Sequence, residues 1–225
     1  MTPAPPPVAP RTIQVWSDLL CPFAYVGLIR LRRARTRLGL EVEVEHRSFP
    51  LELFNGPHPR RGTDTEAVGL GPIEPDARFR VWTAPDDVYP HTVLLAAEAV
   101  YAAAEQGRAA AEEFDLALRA AFWSHSRSIA HRQVILDVAG EAGLDATALA
   151  AALDTGRHRG DLMADFAVAQ SDAVPGSPAF RLPDGGTAHN PGITVHWEGP
   201  FAAGFPVIDA DDPSAYDELL KRAAG

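Results

Sequence analysis

The feature that most restricts the fold of this chain is the order in which its hydrophobic periodicities follow one another. Residues 12–17 (Thr-Ile-Gln-Val-Trp-Ser) alternate polar and apolar side chains and include β-branched residues, which predicts a strand. Residues 21–38 set Tyr25, Leu28, Ile29, Leu31 and Leu38 against five arginines, the pattern of an amphipathic helix. Pro22 suits the first turn of that helix and Gly39 its C-terminal cap. Residues 41–49 alternate again and predict a second strand. A strand, a helix and a strand in succession form a βαβ unit, whose two strands lie parallel.

Prolines and glycines punctuate residues 50–87 without a clear period, which predicts a long irregular loop holding one short helix. Loops of this length in compact domains tend to be functional or mobile. From residue 91 to 171 the chain is rich in Ala, Leu, Glu and Arg at helical spacing, with helices predicted near 91–106, 109–123, 131–142, 146–153 and 159–171. Asp145 is a suitable N-cap for the fourth of these. Strand-like patterns return at 179–182 and 194–197, separated by the turn residues Pro183-Asp184-Gly185-Gly186, and residues 213–224 predict a final amphipathic helix. The order is β-α-β, a helical block, then β-β-α. It predicts an α/β domain made of residues 12–61 and 173–225, interrupted by an all-helical insertion at 62–172. The first ten residues hold five prolines and no charged side chain, so 1–11 are expected to form a disordered, polyproline-like leader.

Charge and cysteine usage narrow the function. The chain carries 20 Lys+Arg against 30 Asp+Glu, a net −10, with Lys221 its one lysine, a poor match to a nucleic-acid or anionic-membrane surface. No basic n-region with an apolar h-region opens the sequence, and no apolar run reaches the ~20 residues of a membrane span. A soluble, cytoplasmic protein is expected, and a lone thiol fits a reducing compartment. Cys21 is the single cysteine, which excludes an internal disulfide and a multi-cysteine zinc site. His125 and His131 lack the i, i+4 spacing of a helical metal pair, so no metal is expected.

Cys21 is the strongest candidate for chemistry. It falls just after a strand and at the start of a helix, where unpaired backbone N–H groups and the helix dipole favour thiolate over thiol. Such placement lowers a cysteine pKa from ~8.5 into the range ~3.5–7.5. A lone cysteine is also commonly an inert buried side chain, so the strand-to-helix position and the following Pro22 are what favour a nucleophile.

The string Ser17-Asp18-Leu19-Leu20-Cys21-Pro22-Phe23-Ala24-Tyr25-Val26-Gly27 resembles the active-site segment of the DsbA-like branch of the thioredoxin fold, where an acidic residue precedes Cys-Pro-x-Cys-Tyr-x-Gly. Pro90-His91-Thr92 resembles a Pro-Asn-Thr-like element at the start of that family's insertion. Val174-Pro175-Gly176-Ser177-Pro178-Ala179-Phe180 is similar to the family's Gly-Val-Pro-Thr-Phe loop. The resemblance implies a thioredoxin-like fold, with Pro178 as a cis-proline opposite Cys21 and Ser177 offering backbone groups to a bound partner. It implies a thiol–disulfide oxidoreductase with Cys21 as nucleophile and Pro22, Phe23 and Ala24 beside it.

One departure matters: Ala24 stands where the family has its second cysteine, the thiol that resolves a mixed disulfide. A monothiol enzyme is therefore expected, with glutathione as a co-substrate that could resolve it and no resident cofactor. Its partners would be a disulfide-containing protein or a small thiol or electrophile, and a homodimer is among the expected assemblies. Cys-Pro-Phe-Ala-Tyr-Val-Gly also resembles the Ser-Pro-Tyr-Ser/Ala-Tyr-Leu segment of kappa-class glutathione transferases and 2-hydroxychromene-2-carboxylate isomerases, with Cys21 at the place of the serine that holds the glutathione thiolate. That likeness implies a glutathione-dependent transferase or isomerase as an alternative; a non-catalytic binding protein on the same scaffold is a third. His189 and Asn190, read as part of a turn, are also candidates to reach substrate because that loop can approach the cysteine end of the sheet. His91, at a helix start, is a candidate to line the cleft between the two modules. Trp16, Phe23, Tyr25, Trp82 and Trp123 are candidates to wall an apolar pocket, with Trp16 and Tyr25 read first as core residues.

Overall fold

A computed structural model describes residues 3–200 and 204–225. The chain opens with β1 (Thr12–Ser17), α1 (Pro22–Leu38) and β2 (Glu43–Ser48). β1 and β2 pair in parallel, Ile13 beside Val44 and Val15 beside His46, as the βαβ reading requires. β3 (Ala179–Arg181) joins the other edge of β1 antiparallel, and β4 (Thr187–His189) follows it, giving the order β2-β1-β3-β4. β1 is thus central, which is why all six of its residues are buried.

Side chains alternate across β1. Ile13 and Val15 pack with Phe180 against Leu28 and Leu31 of α1 and Tyr216, Leu219 and Leu220 of the final helix, α9 (Ala215–Ala224). Each such side chain, fully buried, contributes ~1.5–3 kcal/mol. α1 approaches this layer closely: a Cβ at Gly27 would lie 2.9 Å from the Phe180 ring and 3.1 Å from the Tyr216 hydroxyl, so only glycine fits. Gly39 ends α1 at φ 64, the left-handed cap conformation. Trp16 faces the opposite way, onto Phe49, Val168 and Ala169.

A helical module follows: α4 (Leu94–Ala104), α5 (Arg108–Trp123), α6 (Arg132–Glu141), α7 (Ala146–Asp154) and α8 (Arg159–Ala169). Phe114, Leu118, Phe122, Trp123, Ile135 and Val138 form its core. α4, α5 and α8 pack on β2. Asp145 caps α7, accepting from the Thr147 and Ala148 N–H groups, as its sequence position predicts.

Three features differ from the sequence reading. First, the irregular loop expected at 50–87 contains α2 (Glu52–Asn55), the eleven-residue α3 (Arg60–Leu70) and three short 3-10 turns. α3 falls inside the expected insertion, yet it packs on α1 and on a strand of the C-terminal part. Tertiary packing of Gly62, Thr63, Ala67 and Leu70 holds it, in spite of poor intrinsic helix propensity. Second, the expected β-β pair is two hairpins. The turn at 183–186 leads into the short β4, and β5 (Ile193–Glu198) pairs with β6 (Phe205–Asp211) in a separate two-stranded sheet. Third, the proline-rich leader is not free: the Pro6 carbonyl accepts from Arg181 at 2.9 Å and the Pro7 carbonyl from Gln14 at 3.3 Å. Its carbonyls remain acceptors although proline lacks an N–H.

The β5–β6 hairpin and α3 form a cap over the N-terminal end of α1. Thr65 of α3 donates to the Gly204 carbonyl at 2.8 Å. A Cβ at Gly69 would lie 2.7 Å from Pro206, so α3 and β6 touch backbone to backbone there. The far side of the cap is clamped to α1 by buried Arg30, which bonds Glu74 (3.0 Å), Asp211 (2.6 and 3.0 Å) and the Ile73 carbonyl (2.8 Å). No helix among the described residues is long and apolar enough to cross a membrane.

Candidate functional site

The site forms where β1 ends and α1 begins. Cys21 is the N-cap residue of α1, in extended conformation (φ −81, ψ 113), with Pro22 next. The turn leading to it is braced from within. Arg119 of α5, paired with Asp115, donates to the Asp18 carbonyl (2.8 Å) and the Ser17 hydroxyl (2.8 Å). The Asp18 carboxylate accepts from the Leu20 N–H (2.7 Å) and the Leu51 N–H (2.8 Å). The Asp18 N–H donates to the Ser177 hydroxyl at 2.9 Å, which ties this turn to the loop before β3.

The Ser177–Pro178 peptide bond is cis. The Cys21 sulfur lies 3.3 Å from the Ser177 carbonyl oxygen, close enough to donate its S–H. On the far side of this loop His189 donates from Nδ1 to the Pro178 carbonyl at 2.9 Å. The proton is therefore on Nδ1, and Nε2 accepts from the Asn190 amide at 3.2 Å. A Cβ at Gly176 would lie 2.9 Å from the His189 ring, so only glycine lets the imidazole rest on the loop.

Cys21, Pro22, Phe23, Ala24, Ser177, Pro178, His189 and Asn190 thus come together around one end of the sheet. His91 does not join them. It is exposed, and its neighbours Thr92 and Val93 bond Glu52 (2.6 and 2.7 Å). Of the aromatic residues, Trp16 and Tyr25 are core residues as read, Trp82 and Trp123 also belong to the core of the helical module, and Phe23 packs in the cluster that contains Cys21.

The ionisation expected of Cys21 is reversed. The sulfur is covered by Phe23, Ala24, Val26, Leu70 of α3 and Ile193 of β5, and the residue is only 4% exposed. Burial pushes the thiol up to about 12; the Ser177 hydroxyl and the Ala24 N–H act against this, and the charges of Glu66 and Asp18 add to it. Loss of hydration outweighs the helix N-terminus, so with the cap closed Cys21 is a neutral thiol.

The cap also brings charge that the sequence did not announce. His58, just before α3, sets Nε2 3.5 Å from Asp18 Oδ1. Burial works to raise Asp18, but the contact with His58 and the two backbone N–H groups prevail and hold it below the usual carboxylate range. Burial works to lower His58, but Asp18 prevails and raises it. Half-buried Glu66, on the inner side of α3, is raised by burial to about 8, with His58 partly offsetting. No group of three or more His, Cys, Asp or Glu side chains among the described residues is arranged to hold a metal ion.

With this geometry in place, the comparisons with known proteins are informative. A family model, the DSBA-like thioredoxin domain, matches residues 12–196. The chain belongs to the DSBA-like thioredoxin family. It is 27% identical over 158 residues to the uncharacterised protein YwbO of Bacillus subtilis, covering 64% of this chain and 72% of that one. Among solved structures it resembles a "probable DsbA oxidoreductase" from Streptomyces coelicolor, with a TM-score of 0.66, 21% identity and 94% and 89% of the two chains covered. It also resembles the cytosolic disulfide reductase DsbM of Pseudomonas aeruginosa, solved with GSH, with a TM-score of 0.57, 18% identity and 93% and 97% covered. Both structures match at an identity that speaks to fold alone. Within this DSBA-like domain, His58 and Glu66 come from the very segment whose sequence shows no period, and the Gly56-Pro57-His58-Pro59 string carries no signal of a site.

Proposed function

We propose that this DSBA-like protein is a monothiol thiol–disulfide oxidoreductase of the cytoplasm. The observation that carries the reading is the placement of Cys21 Sγ 3.3 Å from the Ser177 carbonyl, beside the cis Ser177–Pro178 bond and at the first turn of α1. Once the cap is displaced and the sulfur regains water, the burial that suppresses ionisation falls away. The helix N-terminus then favours thiolate.

The Cys21 thiolate attacks one sulfur of a disulfide R–S–S–R′. A Cys21–S–S–R bond forms, the R–S–S–R′ bond breaks, and R′S⁻ leaves. Ala24 supplies no second thiol. An external thiolate therefore attacks the mixed disulfide at the R sulfur, which releases reduced Cys21 and carries R away on the incoming thiol. Glutathione is the proposed co-substrate. The family membership and the likeness to a reductase solved with GSH support it.

The test is intact-protein mass spectrometry of the folded chain after exposure to oxidised glutathione. A single glutathionyl adduct is expected, removable by dithiothreitol and absent from Cys21→Ser. If only unfolded protein is labelled, the reading is wrong.

A second reading rests on the same sulfur being a neutral S–H donor, pushed up to about 12. Cys21 would then donate to a bound glutathione thiolate without becoming bonded to it, as in a glutathione-dependent transferase or isomerase. Saturable glutathione binding with no covalent adduct is the outcome that favours it.

A further inference from the structure

A partner disulfide must reach a sulfur that the 51–70 segment covers, and that segment is fastened to the cysteine turn in a particular way. Two polar contacts tie it there, and both are made to one carboxylate. At its start, the Leu51 N–H donates to Asp18 Oδ2 at 2.8 Å. Seven residues on, His58 Nε2 lies 3.5 Å from Asp18 Oδ1. The segment then runs through α3 to Leu70, which packs against Cys21.

The two attachments differ in kind. The Leu51 end is secured a second time, because Glu52 accepts from the Thr92 hydroxyl at 2.6 Å and the Val93 N–H at 2.7 Å. Asp18 itself is fixed: Oδ1 accepts from the Leu20 N–H at 2.7 Å, and Arg119 of α5 holds its carbonyl at 2.8 Å. The His58 attachment depends on a proton. His58 stands between Pro57 and Pro59, directly before α3, so the imidazole is carried on backbone whose neighbouring φ angles are locked. Its side chain is 16% exposed and that of Asp18 1%, a setting in which opposite charges attract more strongly than in water. The charged groups that face His58 are Asp18 from the cysteine turn, Glu52 from α2 and Glu66 from α3, all of them acidic. Burial disfavours the imidazolium, but these neighbours, Asp18 foremost, prevail and raise His58 above its ordinary 6.5. The charged latch is therefore complete below pH 6.5 and is lost as pH rises through the raised value.

We propose that His58 and Asp18 form a proton-operated latch on the cap: charged His58 holds the 51–70 segment shut on the cysteine turn, and when His58 gives its proton to water the segment loosens and a partner disulfide gains access to Cys21. His58 is thus a positioning residue that gates the site, and the gate rests on the thiol-enzyme reading above. It remains with Asp18 and the cysteine turn on one side and the cap on the other, so its release is the same event as exposure of the sulfur.

The experiment is amide hydrogen exchange of residues 51–70 in the folded full-length protein, read by mass spectrometry from about pH 5.5 to about pH 8.5 and normalised at each pH to the intrinsic exchange rate. The wild type, His58→Gln and His58→Lys are compared. Wild-type protection of 51–70 is expected to fall by about tenfold across this range, while that of α5 holds. His58→Gln, neutral throughout, is expected to show the low, loosened level at every pH. His58→Lys, charged throughout, is expected to stay protected with no step. A wild type without a step, a step that survives in His58→Gln, or a His58→Gln as protected in acid as the wild type overturns the latch; should one variant not fold, the other decides. None of these outcomes touches the glutathionyl-adduct test. An adduct without the step removes the latch and leaves the monothiol reading, and the step without an adduct does the reverse.

Discussion

α1 meets two buried polar clusters under the same cap, and they are built differently. Around Arg30 every guanidinium nitrogen is used: Glu74, Asp211 and the Ile73 carbonyl accept from Nε, Nη1 and Nη2, and Glu74 is shared with Arg33. Around Cys21 the groups are close but loosely paired. Asp18 and His58 stand 3.5 Å apart, Glu66 holds no partner among the described residues, and the thiol is neutral. A buried charge costs stability unless its partners are in place, so the first cluster is what keeps the cap attached. The second carries titratable groups that are shifted without being locked, the arrangement found at sites that do chemistry. The cap therefore has a fixed hinge at Arg30 and a weaker edge at the sulfur.

The largest effect should come from breaking the hinge. Arg30→Ala leaves Glu74, which has no exposure, without its buried partner. Breaking a buried pair costs ~3–5 kcal/mol, an upper value here because Arg33 still bonds Glu74. Urea unfolding should report a loss of that size, and a loss below ~1 kcal/mol, the worth of a surface pair, would show that the hinge is no hinge. Removing cap packing over the sulfur comes next. Leu70→Ala should cost ~2–5 kcal/mol. Because Leu70 covers Cys21, part of that loss lowers the free energy of local opening, so iodoacetamide should label folded Cys21 at least about tenfold faster, the factor that ~1.4 kcal/mol supplies. Unchanged labelling would mean the sulfur is reached by some route other than lifting α3 and the hairpin.

The same contrast explains what could be read from the sequence. β1, α1 and the helices of the insertion were legible because their signals are local: alternation in Thr12–Ser17, the arginine face and Gly39 for α1, Asp145 for α7. The residues around the sulfur were legible for the same reason, since Cys21-Pro22 and Ser177-Pro178 are short strings. The cap was not. α3 carries Gly62 and Gly69 within eleven residues, and a Cβ at Gly69 would lie 2.7 Å from Pro206. Pro206, Asp209 and Asp211 disguise β6 as a loop leading to a helix cap. His58 and Glu66 inherit that obscurity because the fold, not their spacing, carries them to Asp18 and Cys21. The misreading of Cys21 as a thiolate has one cause: a helix N-terminus is visible in sequence, whereas the covering by Leu70 and Ile193 is a non-local fact.

The smallest expected effect is a pH slope in stability, and it tests whether the loosely paired cluster titrates as a unit with folding. Glu66 is raised from 4.5 to about 8, so the folded state binds its proton more tightly than the unfolded chain does. Its contribution is fully present below pH 4.5 and is lost as pH rises through about 8. His58, also raised, acts in the same direction from its ordinary value of 6.5 upward. Asp18, held low, acts in the opposite direction, and only in acid, as pH falls below 3.8. Between pH 5 and pH 9 this cluster's contribution declines, while buried His46, held low, acts the other way around 6.5, so the cluster is read as the difference in urea midpoint between the wild type and Glu66→Gln. Glu66→Gln removes the larger titration and should flatten most of that decline, whereas Arg30→Ala should lower the midpoint at every pH and leave its slope alone, because no titrating group is removed. If instead the two variants change the slope alike, the clusters are coupled through the cap, and the distinction between a fixed hinge and a titrating edge fails.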